Sequence, residues 1–384
     1  INRIFEWLND EMIDEAGGLY SSMDADSEGI EGKYYVWTQS EIRKILSKKD
    51  ADIFCQYYDI TDGGNWEGNS IPHLILEKNS LCNLLKISRS KLESSLEKSR
   101  LILKKYRKSR IAPGTDDKII VSWNGLMISS LAKASSALDN PKFFSVASRA
   151  VSFILEEMSK KDGSLYRTHR RGQSHIDAFA EDYAFFGNSL VDMYESSFNS
   201  SYLKEAKKLA DILINNFYEN GIFKQSLSKN IVINIKNGMD NATPSFVFMS
   251  CLFLSRLSYY YDLQKYRNIV EKTLENFGHS INDYPYAHST ALFVHNYLFK
   301  GPIEIAIVGD KSDGPLVKIA RNYLLPYKIM AFSDEELDIP LLSQKLKIDN
   351  KETSYICHNY TCDSPITDSE KLDKALSTIF KKSY

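Results

Sequence analysis

DAFAEDYAFFGNSLVDMYESSFNSSYLKEAKKLADILINNF, residues Asp177 to Phe217, decides the fold. Its first half places Phe179, Tyr183, Phe186, Leu190 and Met193 or Tyr194 at helical spacing, with Ala180, Ala184, Gly187 and Ser189 on the other faces. A helix that is apolar or small nearly all round belongs inside a protein, so the spacing predicts an inner helix over Phe179 to Ser197. The second half, Tyr202 to Phe217, sets Leu203, Ala206, Ala210, Leu213 and Phe217 against Lys204, Lys207, Lys208, Asp211 and Asn215. That two-sided pattern is a half-exposed outer helix.

The same pair recurs. Inner-type helices begin near Trp123, Tyr183 and Ser245, separations of 60 and 62 residues, and the turns after outer helices at Gly163 and Gly221 lie 58 apart. Such an interval implies stacked helical hairpins sharing one core. The inner-to-outer turn is short, as at Asp139-Asn140-Pro141, where Asn140 is placed to cap and Pro141 to open the next helix. The outer-to-inner return is long, so all long returns fall at one end, where chemistry is expected.

Composition narrows the function classes. A net charge of -2 over 384 residues leaves no nucleic-acid footprint, and Lys104, Lys105, Arg107, Lys108 and Arg110 read as the end of a solvated helix. No apolar run reaches the roughly 18 residues of a membrane span. Five scattered cysteines, Cys55, Cys82, Cys251, Cys357 and Cys362, argue for a reducing compartment, so a cytoplasmic location is expected. Cys357 and Cys362, with four residues between them, lack the Cys-x-x-Cys spacing of a redox pair and are read as buried, inert thiols. No metal site and no cofactor are expected.

In chain order, Ile1 to Ile13 reads as an outer helix whose inner partner would lie upstream. GGLYSSMDADSEGIEGKYYVW, Gly17 to Trp37, packs Asp24, Asp26, Glu28 and Glu31 beside Tyr34, Tyr35 and Trp37. Thr38 with Glu41 forms a capping box before Gln39 to Leu46. A short helix follows over Ala51 to Tyr57, then a Gly/Asn-rich loop holding Trp66 and Glu67, then an outer helix from Ser90 to Lys108. Alternating inner and outer helices run through Ser122 to Leu138, Pro141 to Lys160, Phe179 to Ser197, Tyr202 to Phe217, Pro244 to Tyr259, Leu263 to Phe277 and Tyr284 to Phe299. Beyond Gly301 strands are expected at Ile303 to Asp310, Tyr327 to Phe332 and from Ser354, with helices at Gly314 to Tyr323 and Asp368 to Ile379, the last as a closing outer helix.

Five segments in this order, GGLYSSMDADSEGIEGKYYVW, GNWEGNSIPHL, DDKIIVSWNGLMISSLAKA (Asp116 to Ala134), EDYAFFGNSLVDMYE and CHNYTCDSP (Cys357 to Pro365), together resemble the YyaL / spermatogenesis-associated protein 20 family. The resemblance implies an all-α, (α/α)6 six-hairpin toroid of the glycosidase and epimerase kind. It also implies an upstream thioredoxin-like domain as partner, beyond Ile1. The expected division is a toroid over residues 1–300 and a small C-terminal α/β appendage over residues 301–384.

If the hairpins form a ring, the long returns converge on one mouth and bring acids together. Asp24, Asp26, Glu181 and Asp182 are the candidate acid, base or nucleophile of a carbohydrate-processing site, since glycoside hydrolysis needs two carboxyls about 5–9.5 Å apart. Asp117 and Lys118 are candidates for orienting hydroxyls. Glu28, Tyr35, Trp37, Trp66, Trp123, Asn124 and Tyr183 complete a substrate-binding set, although packing is the plainer reading of Trp123 and Tyr183. His288 is the candidate base for an epimerase. Every acid has an alternative as a helix cap, because unpaired N–H groups and the helix dipole favour carboxylates at inner-helix tips. Two function classes follow: a carbohydrate-processing enzyme with a sugar ligand, or a non-catalytic scaffold for the thioredoxin-like domain.

Overall fold

The stretch that is apolar on all sides forms the central helix. In the computed structural model, which describes residues 1–228, 238–334, 339–358 and 361–383, it is helical over Ala180–Ser197, and every residue from Asp182 to Tyr194 is buried. The helices in chain order are α1 (Asn2–Glu11), α2 (Gln39–Ile45), α3 (Lys48–Tyr57), α4 (Lys78–Leu85), α5 (Arg89–Arg107), α6 (Val121–Leu138) and α7 (Pro141–Glu157). They continue as α8 (Ala180–Ser197), α9 (Ser200–Phe217), α10 (Phe246–Tyr261), α11 (Gln264–Asp283), α12 (Ser289–Lys300), α13 (Pro315–Asn322) and α14 (Ser369–Ser383). The strands are β1 (Tyr20–Met23), β2 (Asp26–Ser27), β3 (Ile30–Glu31), β4 (Thr115–Ile120), β5 (Tyr166–Arg170) and β6 (Gln173–Asp177), then β7 (Tyr218–Glu219), β8 (Ile222–Phe223), β9 (Ile303–Val308), β10 (Lys328–Ser333), β11 (Thr353–His358) and β12 (Thr361–Cys362).

The chain forms two compact units, one of Ile1–Ser21 with Asp117–Tyr384 and the other of Ser22–Asp116. In the larger unit the inner helices α6, α8, α10 and α12 pack side by side in sequence order, with α7, α9 and α11 as outer partners. This is the inner-and-outer hairpin packing of an (α/α) fold. Among the described residues α6 to α11 make three full hairpins, flanked in sequence by the outer helix α1 and the inner helix α12. The repeat holds down to single bonds: the chain turns back after α1, α7 and α9 through Tyr20 N–H to Met12 C=O (2.9 Å), Tyr166 N–H to Met158 C=O (2.8 Å) and Lys224 N–H to Phe217 C=O (2.8 Å). Asn140 caps α7 as its sequence position predicts, accepting from Lys142 N–H at 3.1 Å.

Close approach of α6 and α8 depends on one residue. A Cβ at Gly125 would lie 2.6 Å from the Phe185 carbonyl carbon and 2.6 Å from the Phe186 nitrogen, both backbone atoms that cannot swing aside. Gly125→Ala is therefore expected to destabilise the protein by about 1–3 kcal/mol, despite alanine's better helix propensity. Urea unfolding measures this; an unchanged midpoint would mean the helices part freely.

The boundary expected at residue 300 is not where the chain divides, because residues 301–384 belong to the same unit as the hairpins. Parallel β9 and β10 with antiparallel β11 and β12 form a sheet in the order β10-β9-β11-β12. Together with α13, this sheet packs on the C-terminal ends of the inner helices. Tyr260 hydroxyl donates to Met330 C=O at 3.0 Å, Arg321 donates to Ser196 C=O at 2.7 Å, and the Phe198 and Phe332 rings lie 5.5 Å apart. Helix ends leave carbonyls unpaired, and Arg321 answers that need at the end of α8. The helix expected to close the ring, α14, packs against α13.

The second correction concerns the cysteines. Cys357 and Cys362 stand directly opposite each other on β11 and β12 and form a disulfide, while Cys55, Cys82 and Cys251 remain thiols. Strand pairing, invisible in the spacing, brings the two sulfurs together. The bond also removes one argument for a reducing compartment.

In the smaller unit, α2, α3, α4 and α5 surround a core that includes Trp37, Ile42, Phe54, Leu81, Leu92 and Leu96. Thr38 caps α2 as expected, its hydroxyl accepting from Glu41 N–H at 3.2 Å. No helix was expected at α4. Among the described residues no helix is long and apolar enough to cross a membrane.

Candidate functional site

The acids expected at the inner-helix tips are present in the larger unit, and backbone groups have claimed several of them. Asp182, fully buried, accepts from Phe179 N–H (2.8 Å) at the start of α8, from Ser122 N–H (3.0 Å) in the first turn of α6, and from Arg167 Nη1 (3.0 Å). Asp240 repeats the device one step along, accepting from Ser245 N–H and Thr290 N–H, each at 2.8 Å, at the starts of α10 and α12. Each carboxylate thus ties together the tips of two neighbouring inner helices, whose first N–H groups lack intrahelical partners. Burial pushes Asp182 up to about 6, against the opposing pull of Arg167 and the two N–H groups. Arg167 also holds Glu181, at 2.6 Å.

Other candidates in this unit are also engaged by the fold. Asn124, in the first turn of α6, accepts from Leu19 N–H (2.9 Å) and donates to Leu19 C=O (3.0 Å). Tyr183, at the equivalent place in α8, accepts from Leu165 N–H (3.0 Å), and burial raises its phenol to about 12. Both side chains pin the turn that precedes their own helix. His288 is buried between Tyr284 C=O (2.8 Å) and Ser280 Oγ (3.2 Å), a satisfied ring rather than a poised base. Trp123 departs from its expected packing: it is 45% exposed on α6. Lys118 is exposed on β4, and Asp117 contacts both Arg170 and Arg171 at the tip of the β5–β6 hairpin.

One cavity of about 400 Å³ in this unit is lined by Asp14, Tyr20, Asp117, Glu157, His169 and Arg171. Its polar groups largely satisfy one another. Tyr20 hydroxyl donates to Asp14 at 3.1 Å, and His169 Nδ1 lies 3.0 Å from Ser174 Oγ.

The smaller unit holds a cavity of about 560 Å³ with a different character. Its lining includes Glu28, Glu31, Lys33, Tyr34, Glu41, Trp66, Glu67 and Arg110. Lys33 pairs with Glu28 (2.8 Å) and Arg110 with Glu41 (2.7 Å), whereas the carboxylates of Glu31 and Glu67 make no salt bridge or hydrogen bond among the described residues. Trp66 is half-buried and lies over bare backbone, the position of a Cβ on Gly32 being 3.3 Å from its ring. Arg110 organises the wall, donating to Tyr34 C=O (2.8 Å) and Val36 C=O (2.9 Å) and lying 4.0 Å over the Trp37 ring. Trp37 is only 6% exposed and belongs to the core, so it is not available to stack on a ligand.

Two turns present glutamates to this cavity in an unusual way. Glu28-Gly29 joins β2 to β3, and Glu67-Gly68 joins the bridged pair Trp66 and Asn69; all four residues have positive φ, 53°, 72°, 48° and 74°. In such two-residue turns the first place usually goes to Asn, Asp or Gly, and a left-handed residue with a longer side chain costs roughly 1–2 kcal/mol. Turn geometry does not ask for glutamate twice, but the cavity gives both carboxylates a shared surroundings. Asp24 and Asp26 belong to the same unit but not to the lining: both are exposed, and Asp26 N–H donates to Asp24 Oδ1 at 3.1 Å. Tyr35 is 36% exposed, its hydroxyl 3.9 Å from Met23 Sδ.

Arg110, Arg167 and Glu67 carry no site expectation from the sequence. The Glu-Gly pairs in SEGI and WEGN were a readable signal for Glu67. Arg110 looked like one more cation in a basic run, and Arg167 stands in a strand with nothing local to mark it.

No family profile matches the chain. It is 26% identical over 424 residues to spermatogenesis-associated protein 20 of Homo sapiens, covering 97% of this chain and 54% of that protein. An uncharacterized protein of Caenorhabditis elegans is 27% identical over 413 residues, covering 97% and 56%. The chain spans about half the length of the curated relatives it matches. These relatives bear out the resemblance carried by the five segments. Among solved structures, a cellobiose 2-epimerase from Bacillus thermoamylovorans aligns at TM-score 0.35 and 17% identity over 42% of this chain and 44% of that one. An inactive variant of an α-1,6-mannanase from Salegentibacter aligns at TM-score 0.35 and 11% identity over 72% and 68%.

Proposed function

We propose that this chain, similar over 97% of its length to spermatogenesis-associated protein 20, is a carbohydrate-binding protein whose ligand site is the Trp66 cavity of the Ser22–Asp116 unit. The observation that carries this is the lining itself: a half-buried indole beside Glu31 and Glu67, two carboxylates without a salt bridge or hydrogen bond among the described residues. A sugar ring offers a C–H face to an aromatic and hydroxyls to charged acceptors and donors, and Lys33, whose ammonium has protons beyond the one Glu28 engages, adds a donor. At the inner-helix tips, by contrast, Asp182, Asp240 and Glu181 are occupied by N–H groups and Arg167, which supports placing the ligand site elsewhere.

The test is a saccharide and amino-sugar array read by thermal shift and calorimetry on wild type, Trp66→Ala and Glu67→Asn. Trp66→Ala is expected to weaken binding roughly tenfold, about the contribution of an aromatic face. Glu67→Asn is expected to weaken binding while leaving the melting temperature unchanged or slightly raised, because asparagine suits the turn better. If no saccharide binds wild type, or if Glu67→Asn lowers stability, the cavity is not this site. A processing enzyme is the second reading, resting on Glu31 and Glu67 as a carboxyl pair in one cavity; turnover of a bound saccharide, lost in Glu31→Gln, would select it.

A further inference from the structure

The disulfide sits in a row that its pairing makes explicit. Reading across the sheet, Glu304 on β9 is opposite Cys357 on β11, which is opposite Cys362 on β12. Residues directly opposite in antiparallel strands project from the same face. The row is therefore carboxyl, buried sulfur, exposed sulfur: Glu304 is 6% exposed, Cys357 is 2% exposed, and Cys362 faces solvent.

Glu304 is expensive where it stands. Its Oε1 is buried with no hydrogen-bond partner, and a buried unsatisfied group costs roughly 1–3 kcal/mol. Burial raises its pKa, opposed by Lys345, Arg267 and His358 and assisted by Asp262. A buried acid with a raised pKa, directly opposite a buried sulfur that must gain or lose a proton, has a use that packing does not supply.

We propose that Cys357–Cys362 is a redox-active disulfide that exchanges with a dithiol, and that Glu304 passes the proton to and from the buried Cys357 sulfur. A thiolate of the dithiol attacks Sγ of Cys362, the sulfur open to solvent. The S–S bond breaks, a mixed disulfide forms at Cys362, and the electron pair leaves on Cys357, which takes the proton of the Glu304 carboxyl. The second thiol of the dithiol, having given its proton to water, attacks its own partner sulfur and releases Cys362 as a thiolate, which is protonated by water. Two electrons have moved: the dithiol has become a disulfide, this chain holds two thiols, and Glu304 recovers its proton from solvent. In the reverse direction Glu304 as carboxylate removes the Cys357 proton. The assignment is independent of the carbohydrate reading, since neither unit's cavity includes these residues.

The experiment uses the full chain with dithiothreitol as the dithiol, counting alkylated cysteines by mass spectrometry; Cys55, Cys82 and Cys251 serve as internal thiols. Wild type is expected to open the Cys357–Cys362 bond without losing its cooperative melt. Glu304→Gln is expected to slow that step on the order of a hundredfold at neutral pH, and Glu304→Asp to restore part of it. Cys357→Ser should take up glutathione from oxidised glutathione at Cys362, while Cys362→Ser should leave Cys357 unmodified; this arm stands even if Glu304→Gln fails to fold. The proposal is overturned if the bond opens only in denaturant, if folded Glu304→Gln is reduced as fast as wild type, or if Cys357 captures glutathione as readily as Cys362.

Discussion

Asp192→Ala is expected to cost about 3–5 kcal/mol, because it strands a buried cation. Asp192 lies on α8 with 3% exposure and receives Arg256 Nη2 from α10 (2.7 Å), Lys133 Nζ from α6 (3.1 Å) and the Ser129 hydroxyl, also from α6. Three inner helices therefore meet on one carboxylate. Removing it leaves Arg256, itself 8% exposed, with Glu195, at 3.2 Å, as its one anionic partner among the described residues. Burial alone would raise the pKa of Asp192, but Arg256, Lys133 and Ser129 outweigh it and hold the group below the usual carboxylate range. A depressed folded-state value means the stabilisation is present above the unfolded pKa near 4 and is lost as pH falls through the folded value. The penalty of Asp192→Ala, read by urea unfolding, should thus be full at pH 7 and shrink toward pH 3. The double variant Asp192→Leu with Arg256→Met should recover most of it; a single variant within about 1 kcal/mol of wild type would show that the network contributes little.

Arg167→Met should also cost more as pH rises, but over a higher window, reaching about 3 kcal/mol of destabilisation at alkaline pH. The side chain stands between Asp182 (3.0 Å) and Glu181 (2.6 Å) and lies 4.4 Å over the Phe179 ring. Asp182 already has its pKa raised to about 6 by burial, so its folded-state value exceeds the unfolded one. A raised carboxyl favours folding in acid and loses that contribution as pH climbs from about 4 to about 6. Without Arg167 the folded value moves higher still. Wild type and variant should therefore differ least near pH 5, where Asp182 is largely protonated in both, and most above pH 7, where wild type holds a charge the variant cannot compensate. A difference between the two proteins that is flat across this range would mean that Asp182 is not the group Arg167 serves.

Both networks show why the hairpins were readable and the site was not. The inner helix at Ala180–Ser197 announces itself by lacking a polar face, and the Gly163 and Gly221 turns mark the repeat with φ of 82° and 81°. Those are local properties, one residue against its near neighbours. Whether Asp182 catalyses or caps depends on Ser122 N–H, 60 positions away, and on Arg167 in a neighbouring strand. A capping acid and a catalytic acid occupy the same place at a helix tip, so spacing alone cannot separate them. Trp37 and Trp66 show the same limit, since flanking residues do not say which indole the α2–α5 core absorbs and which a cavity keeps.

The chain's own order of residues determined the helical hairpins, their interval and several caps, because burial periodicity and cap chemistry act within a few turns of one helix. Tertiary structure alone decided that residues 301–384 belong with the hairpins, that Ser22–Asp116 forms its own unit, and that Cys357 meets Cys362 beside Glu304. Those outcomes depend on strand register and on which surfaces pack, energies shared between segments far apart in sequence.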